Sequence, residues 1–397
     1  MKYVYSGAAA LLISTAPALA GGIDRSGQFL GPLWEPGNYA ELSFGYVKPQ
    51  VEGTEADLTV SPGVTLPGGT GIGNVTDNHS MFGLSYKHQF NENWSAAVIL
   101  DQPYGADIQY PAPATDDPRN PSRLGGTRAN LDSNSVTGVV RFTMPENGFG
   151  VHGGIRALKT DANVDLRGAA YGPVNGYSAD FGSDTAYGWL AGVSWERPDI
   201  AARIALTYNS AIEHEFDTTE TLGGVSLGPN GTTEVEMPES LNLEFQTGLN
   251  QKTLLFGSIR WVEWSSFKAA PPIYSQFEGT NTATGQPYKL GSLTDLEDST
   301  TFTIGVGRKF TENWSGAASF TYEKSGNELV SPLAPVSGRK GITLAAIYTQ
   351  DKFKITTGIS YMKLGDASPE TGEPDAARAY MDDSHAWGVG VKVGYSF

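Results

Sequence analysis

The clearest pattern in the chain is strict alternation of large apolar with small or polar residues. At the C-terminal end Trp387, Val389, Val391, Val393, Tyr395 and Phe397 share one face of an extended strand, while Ala386, Gly388, Gly390, Lys392, Gly394 and Ser396 share the other. Successive strand side chains point to opposite faces, so this alternation predicts a strand with one apolar face. The same pattern sets Phe302, Ile304 and Val306 against Thr301, Thr303 and Gly305, and Phe353, Ile355, Ile359 and Tyr361 against Lys354, Thr356, Gly358 and Ser360. Alternation and turn residues together predict about fourteen strands. They fall near 39–51, 79–90, 93–110, 131–144, 149–162, 177–196, 199–215, 239–250, 252–267, 297–310, 313–324, 340–350, 352–364 and 384–397. Glycine recurs inside nearly every apolar run, which argues against helices.

The connections sort into two classes that alternate along the chain. Tight ones fall at 91–93, 145–148, 197–198, 250–251, 311–313 and 351; long ones, rich in Gly, Pro, Asp and Thr, fall at 52–78, 111–130, 163–176, 216–238, 268–296, 325–339 and 365–383. Short periplasmic turns opposite longer extracellular loops are the signature of an even-stranded outer-membrane β-barrel, with both chain ends on the short-turn side. Phe90-Asn91-Glu92-Asn93-Trp94-Ser95 nearly repeats as Phe310-Thr311-Glu312-Asn313-Trp314-Ser315. Two similar hairpin turns explain this, with their aromatics in a girdle at the bilayer edge. The fold class predicted is therefore all-β, a transmembrane antiparallel barrel over 39–397.

Composition agrees with that reading. The mean hydropathy of −0.26 is soluble-like, as expected when only alternate strand residues meet lipid. There are 49 Gly, 18 Tyr, 17 Phe, 8 Trp and no Cys, so thiol chemistry and disulfides are absent. The formal net charge of −16 excludes a nucleic-acid partner, which needs a basic face. Residues 1–20, with Lys2, a short apolar stretch and Ala18-Leu19-Ala20, predict a cleaved secretory signal. No stretch of eighteen or more apolar residues follows it. The aromatic ending Tyr395-Ser396-Phe397 is common in barrels handled by the outer-membrane assembly machinery, an expected partner through Phe397, alongside outer-membrane lipid and lipopolysaccharide.

Candidate chemistry is sparse. His79, His88, His152, His214 and His385 lack zinc-ligand spacing, so no metal and no cofactor is expected. Gly224-Val225-Ser226-Leu227-Gly228 matches G-x-S-x-G, but it lies in a Gly-rich loop rather than between a strand and a helix. The acidic stretches at Glu52, Glu55 and Asp57, at Asp116 and Asp117, and at Glu213, Glu215 and Asp217 read as solvated surface, with weak divalent-cation binding as the alternative. The third strand breaks its own rule at Gln102-Pro103-Tyr104-Gly105. Pro103 cannot donate a ladder hydrogen bond and Gly105 packs no side chain, which marks either a simple bulge or a functional opening. The segment 21–38 carries Phe29, Leu30, Leu33 and Trp34 among Gly and Pro. A fourteen-strand barrel is wide enough for a lumen, so these residues predict either a plug within it or a leader.

Several of these segments resemble the outer-membrane long-chain fatty acid and aromatic hydrocarbon transporter family. Gly45-Tyr46-Val47-Lys48-Pro49-Gln50-Val51 resembles its first strand, Leu100 to Tyr110 its third, and Ala205-Leu206-Thr207-Tyr208-Asn209-Ser210 its seventh. Met237-Pro238-Glu239-Ser240 with the later Trp264-Ser265-Ser266-Phe267 is the most specific pair, and Gly390 to Phe397 fits the closing strand. The resemblance implies a fourteen-strand barrel with an N-terminal hatch, a passive route for hydrophobic small molecules, and lateral exit where the third strand kinks. Gln102, Pro103, Tyr104 and Gly105 would then form the opening, and Phe29, Leu30, Leu33 and Trp34 the plug. The family's Asn-Pro-Ala hatch motif is missing between Gly21 and Asn38. A general porin for small hydrophilic solutes is the alternative.

Overall fold

Fourteen antiparallel strands close on themselves in the computed structural model, which describes residues 23–61, 63–113, 117–280, 287–371 and 376–397. The expected signal sequence and Asp116 lie outside the described residues. In chain order the strands are β1 (Tyr39–Glu55), β2 (His79–Gln89), β3 (Trp94–Asp101 with Gly105–Gln109), β4 (Arg128–Thr143), β5 (Phe149–Asp165), β6 (Tyr177–Arg197) and β7 (Ala202–Asn209 with Ile212–Leu222). They continue as β8 (Gly231–Met237 with Ser240–Asn250), β9 (Thr253–Val262), β10 (Ser299–Lys309), β11 (Trp314–Glu323), β12 (Arg339–Gln350), β13 (Phe353–Leu364) and β14 (Ala379–Ser396). β1 seals the ring, pairing with β14 from Tyr39↔Ser396 to Glu55↔Ala379 and with β2 from Tyr39↔Lys87 to Val47↔His79.

The alternation read from sequence becomes an outer apolar belt. Phe44, Phe82, Leu84, Ile304, Phe320, Leu344, Ile359, Trp387 and Val389 all point outward and are exposed, as lipid-facing residues must be. The two similar turns share their geometry: Phe90 N–H donates to Trp94 O at 2.9 Å, and Phe310 N–H to Trp314 O at 2.9 Å. Phe90, Trp94, Phe310 and Trp314 are all exposed at that end.

Two expectations change. The stretch 216–238 is not an irregular loop; β7 runs on to Leu222 and β8 begins at Gly231, extending the wall as a ribbon. The stretch 252–267 stops being strand at Val262, because Trp264–Ser266 forms a single 3₁₀ turn with Trp264 fully buried. On this side the wall stands above the apolar belt. Along β4, Val136 and Val140 are exposed low on the outer face, whereas Arg128, Asp132 and Asn134 are exposed higher up.

Candidate functional site

β3 parts from β2 in a way that opens the wall at belt height. Its ladder with β2 runs from Gln89↔Ser95 to Leu84↔Leu100 and stops there. Beyond that point His79–Gly83 of β2 pair with β1 and Gly105–Gln109 of β3 with β4; the wall closes again above the gap, where Asp77 N–H donates to Asp107 O at 3.0 Å and Gln109 N–H to Val75 O at 2.8 Å. Pro103 lies at the break, as its missing N–H predicts. Gln102 reaches across the gap, where its Oε1 accepts the Phe82 N–H at 3.0 Å. The height of the gap follows from register. Phe82 pairs with Phe44, and Phe44 with Val391, the middle outward residue between Trp387 and Tyr395. The gap therefore faces hydrocarbon.

A cavity of about 700 Å³, partly open, crosses the wall here. Phe44, Phe82 and Leu84 line its outer mouth, and Ser26, Phe29 and Pro32 its inner end. The four sequence candidates play different geometric parts. Gln102 lines this opening. Tyr104 turns inward, 1 % exposed, and meets Trp264 edge-on at 5.9 Å. Pro103 and Gly105 present their backbone to the N-terminal segment: Arg25 N–H donates to Pro103 O at 2.8 Å and Gly105 N–H to Ile23 O at 2.9 Å.

That segment is tied down along its length. The Arg25 guanidinium pairs with Asp107, and Asp24 accepts from Arg260 at 2.7 Å. Gly27 and Gln28 both take positive φ, 64° and 55°, which turns the chain. The unusual Gln28 conformation is held by bonds from its Nε2 to Tyr104 Oη at 3.0 Å and from Ser240 Oγ to its Oε1 at 2.7 Å. Leu30, Leu33 and Trp34 are buried against inward residues Ala97, Ile99, Val139, Leu190 and Ala205 of β3, β4, β6 and β7. The Trp34 ring has Arg141 at 4.6 Å and Arg203 at 4.9 Å over it. Phe29 is only half-buried, with Lys392 at 5.2 Å from its ring. Lys354 donates to the Glu35 carboxylate at 2.7 Å, closing the segment near the short-turn end.

The segment divides two cavities of opposite chemistry. On the loop side lies an apolar chamber of about 620 Å³. Leu131, Phe181, Phe216, Met237, Phe267 and Leu333 line it, with Ile23 and Ala106 on the segment side. On the turn side lies a polar cavity of about 1010 Å³ that includes Asp24, Glu244, Arg260, Arg339 and several threonines. A smaller cavity of about 420 Å³, lined by Arg25, His79, Ala106 and Asp107, lies along the same open seam. Around the chamber, burial pushes the Tyr110 and Tyr274 phenols above their ordinary range; Tyr110 donates to Pro332 O at 3.0 Å.

The sequence profile of the outer membrane protein transport protein family (OMPP1/FadL/TodX) matches residues 38–397. The chain belongs to the FadL/TodX family. Solved structures agree on the fold. A Pseudomonas aeruginosa FadL homologue superposes with a TM-score of 0.69 at 17 % identity, over 92 % of both chains. The Pseudomonas putida toluene transporter TodX gives 0.61 at 15 %, covering 91 % of this chain and 90 % of that one. The Ralstonia pickettii toluene transporter TbuX gives 0.62 at 13 %, covering 96 % and 92 %. No curated protein sequence matches the chain.

In this FadL/TodX-family barrel the pair 237–240 and 264–267 flanks the chamber. Met237 and Phe267 line it, and Trp264 backs Phe267 at 6.2 Å. Sequence reasoning missed Asp24, Arg25, Gln28, Asp107 and Arg260, because their partners are distant in the chain. The other candidates stay apart. The Ser226 hydroxyl bonds the Gly228 backbone, and Ser226 pairs with Thr221 on an exposed ribbon that leads into strand rather than helix. Among the described residues no group of three or more His, Cys, Asp or Glu is placed to hold a metal ion.

Proposed function

We propose that this barrel carries apolar small molecules, hydrocarbons or long-chain fatty acids, passively from the cell surface into the outer membrane, leaving sideways between β2 and β3. The observation carrying this reading is the stacking of an apolar chamber over a polar lumen, with a gap in the wall at hydrocarbon height. An apolar solute gains about 0.8 kcal/mol per buried CH₂. It gains that in the chamber and again in lipid, but would forfeit it in the polar cavity below. Sideways exit is therefore the downhill path. In this reading Leu30, Leu33 and Trp34 plug the lumen, Phe29 faces the exit, and Gln102-Pro103-Tyr104-Gly105 frames it. The names of the two toluene transporters among the similar structures support an apolar cargo. Residues 1–20 would direct export, and Phe397 would engage the barrel assembly machinery.

The test is uptake of a labelled hydrocarbon and a labelled long-chain fatty acid by cells with and without the protein. Protein-dependent uptake of either, competed by unlabelled apolar molecules, is expected; its absence defeats the proposal. The polar cavity favours one other reading, a porin for hydrophilic solutes. That reading requires a large, solute-size-limited conductance in planar bilayers.

A further inference from the structure

The chamber's chemistry narrows the cargo. Among the described residues that line it none is charged, and Asn130, Thr294 and Ser331 are the polar ones. The charged groups beside its floor are already committed: Arg25 to Asp107, with Asp132 at 3.8 Å, and Asp24 to Arg260. Higher up, the Glu220 carboxylate accepts from Tyr177 Oη at 2.6 Å and from the Ile273 and Tyr274 backbone N–H groups at 2.8 and 2.7 Å. Arg123, fully buried, donates to Ala56 O and Pro67 O and lies 3.8 Å from Glu55. Outside, the rim is acidic, with Glu213 directly opposite Glu236 and Glu215 opposite Glu234 on exposed strand faces. The whole chain carries −16.

We infer that the chamber selects uncharged hydrophobes and rejects carboxylates of the same size and shape. This rests on the transport reading above and chooses between the two cargoes it allows. Desolvation sets this preference. A carboxylate entering the chamber sheds its water and finds no cation in return. An ion buried without a partner is strongly disfavoured, whereas a neutral ring or alkyl chain loses nothing of the kind. The acidic rim adds repulsion before entry, and opposite charge is what speeds encounter. A carboxylate that took Arg25 from Asp107 would cost the aspartate its cation and leave it the Asn130 amide, at 2.9 Å.

The experiment compares naphthalene with 2-naphthoate, a pair matched in ring system and differing in charge. Equilibrium dialysis against the purified full-length barrel in detergent, with protein-free micelles as the partition blank, reads both at alkaline pH. Naphthalene is expected to bind, with 2-naphthoate weaker by at least about a hundredfold, the scale of an unpaired ion's desolvation. Leu131→Arg, checked for folding by its heat-modifiable gel migration, is expected to raise 2-naphthoate binding and lower that of naphthalene. Equal binding of the two by the unsubstituted protein would overturn the inference while leaving apolar transport standing. Binding of neither would also overturn it; naphthalene uptake by cells then separates the cases, since protein-independent uptake brings down the transport reading as well.

Discussion

Gln102 and Gly105 sit three positions apart, yet the structure gives them different contacts. Gln102 spans the open seam through a single hydrogen bond to the Phe82 N–H. Gln102→Leu removes that acceptor and leaves a donor facing lipid, at a cost of roughly 1–3 kcal/mol. The expected result is faster amide exchange at Phe82 and faster cargo uptake; unchanged exchange would show that Gln102 is no latch. Gly105 acts on the N-terminal segment. A Cβ there would stand 2.1 Å from the Arg25 Cζ, so Gly105→Val must push the guanidinium off Asp107. Breaking a buried pair costs about 3–5 kcal/mol, and the lower end applies here, because the Asp107 side chain keeps 21 % of its exposure. Faster proteolysis around Ile23–Gln28 is the readout. Resistance equal to the unsubstituted protein would contradict the contact. From sequence, Pro103 and Gly105 were visible as a strand defect; that Arg25 occupies the space beside Gly105 was not, because the two are eighty positions apart.

At the scale of elements, most strands were legible because lipid enforces alternation. The chamber was written in the same alternation but with its phase reversed. Along β4 the apolar positions Val136 and Val140 point outward, while above them Ala129 and Leu131 point inward between exposed Arg128 and Asp132. The phase changes because the belt ends and the wall continues, so water replaces lipid outside and an apolar chamber replaces polar lumen inside. Reading period alone, without phase, cannot see this. The ribbon of β7 and β8 was missed for a related reason: its outer face is Glu, Asp and Thr, which reads as loop. The N-terminal segment was legible through its four large apolar residues, but not the arginines that hold Trp34. Trp34→Ala should cost about 3–5 kcal/mol from the lost core contacts, with the two cation–π contacts adding to it. A lower temperature for loss of the folded gel form, with raised ion conductance, is expected. An unchanged conductance would mean that Trp34 does not help seal the lumen.

Across the whole molecule, one axis organises the chemistry. An acidic rim leads to an apolar chamber, the clamped N-terminal segment forms its floor, and polar lumen lies beneath. The seam between β2 and β3 opens beside that floor at the middle of the lipid belt. The central claim is that cargo passes through this seam, and the absence of cysteine from the chain makes a direct test possible. Gln102→Cys places a unique thiol at the opening, and Leu344→Cys places one on the lipid-facing wall of β12. Both are labelled to completion with a bulky, membrane-permeant maleimide, and hydrocarbon uptake by cells is measured before and after. Uptake should fall to the level of cells lacking the protein when position 102 is labelled and stay unchanged when position 344 is. Full uptake with position 102 completely labelled would contradict lateral exit.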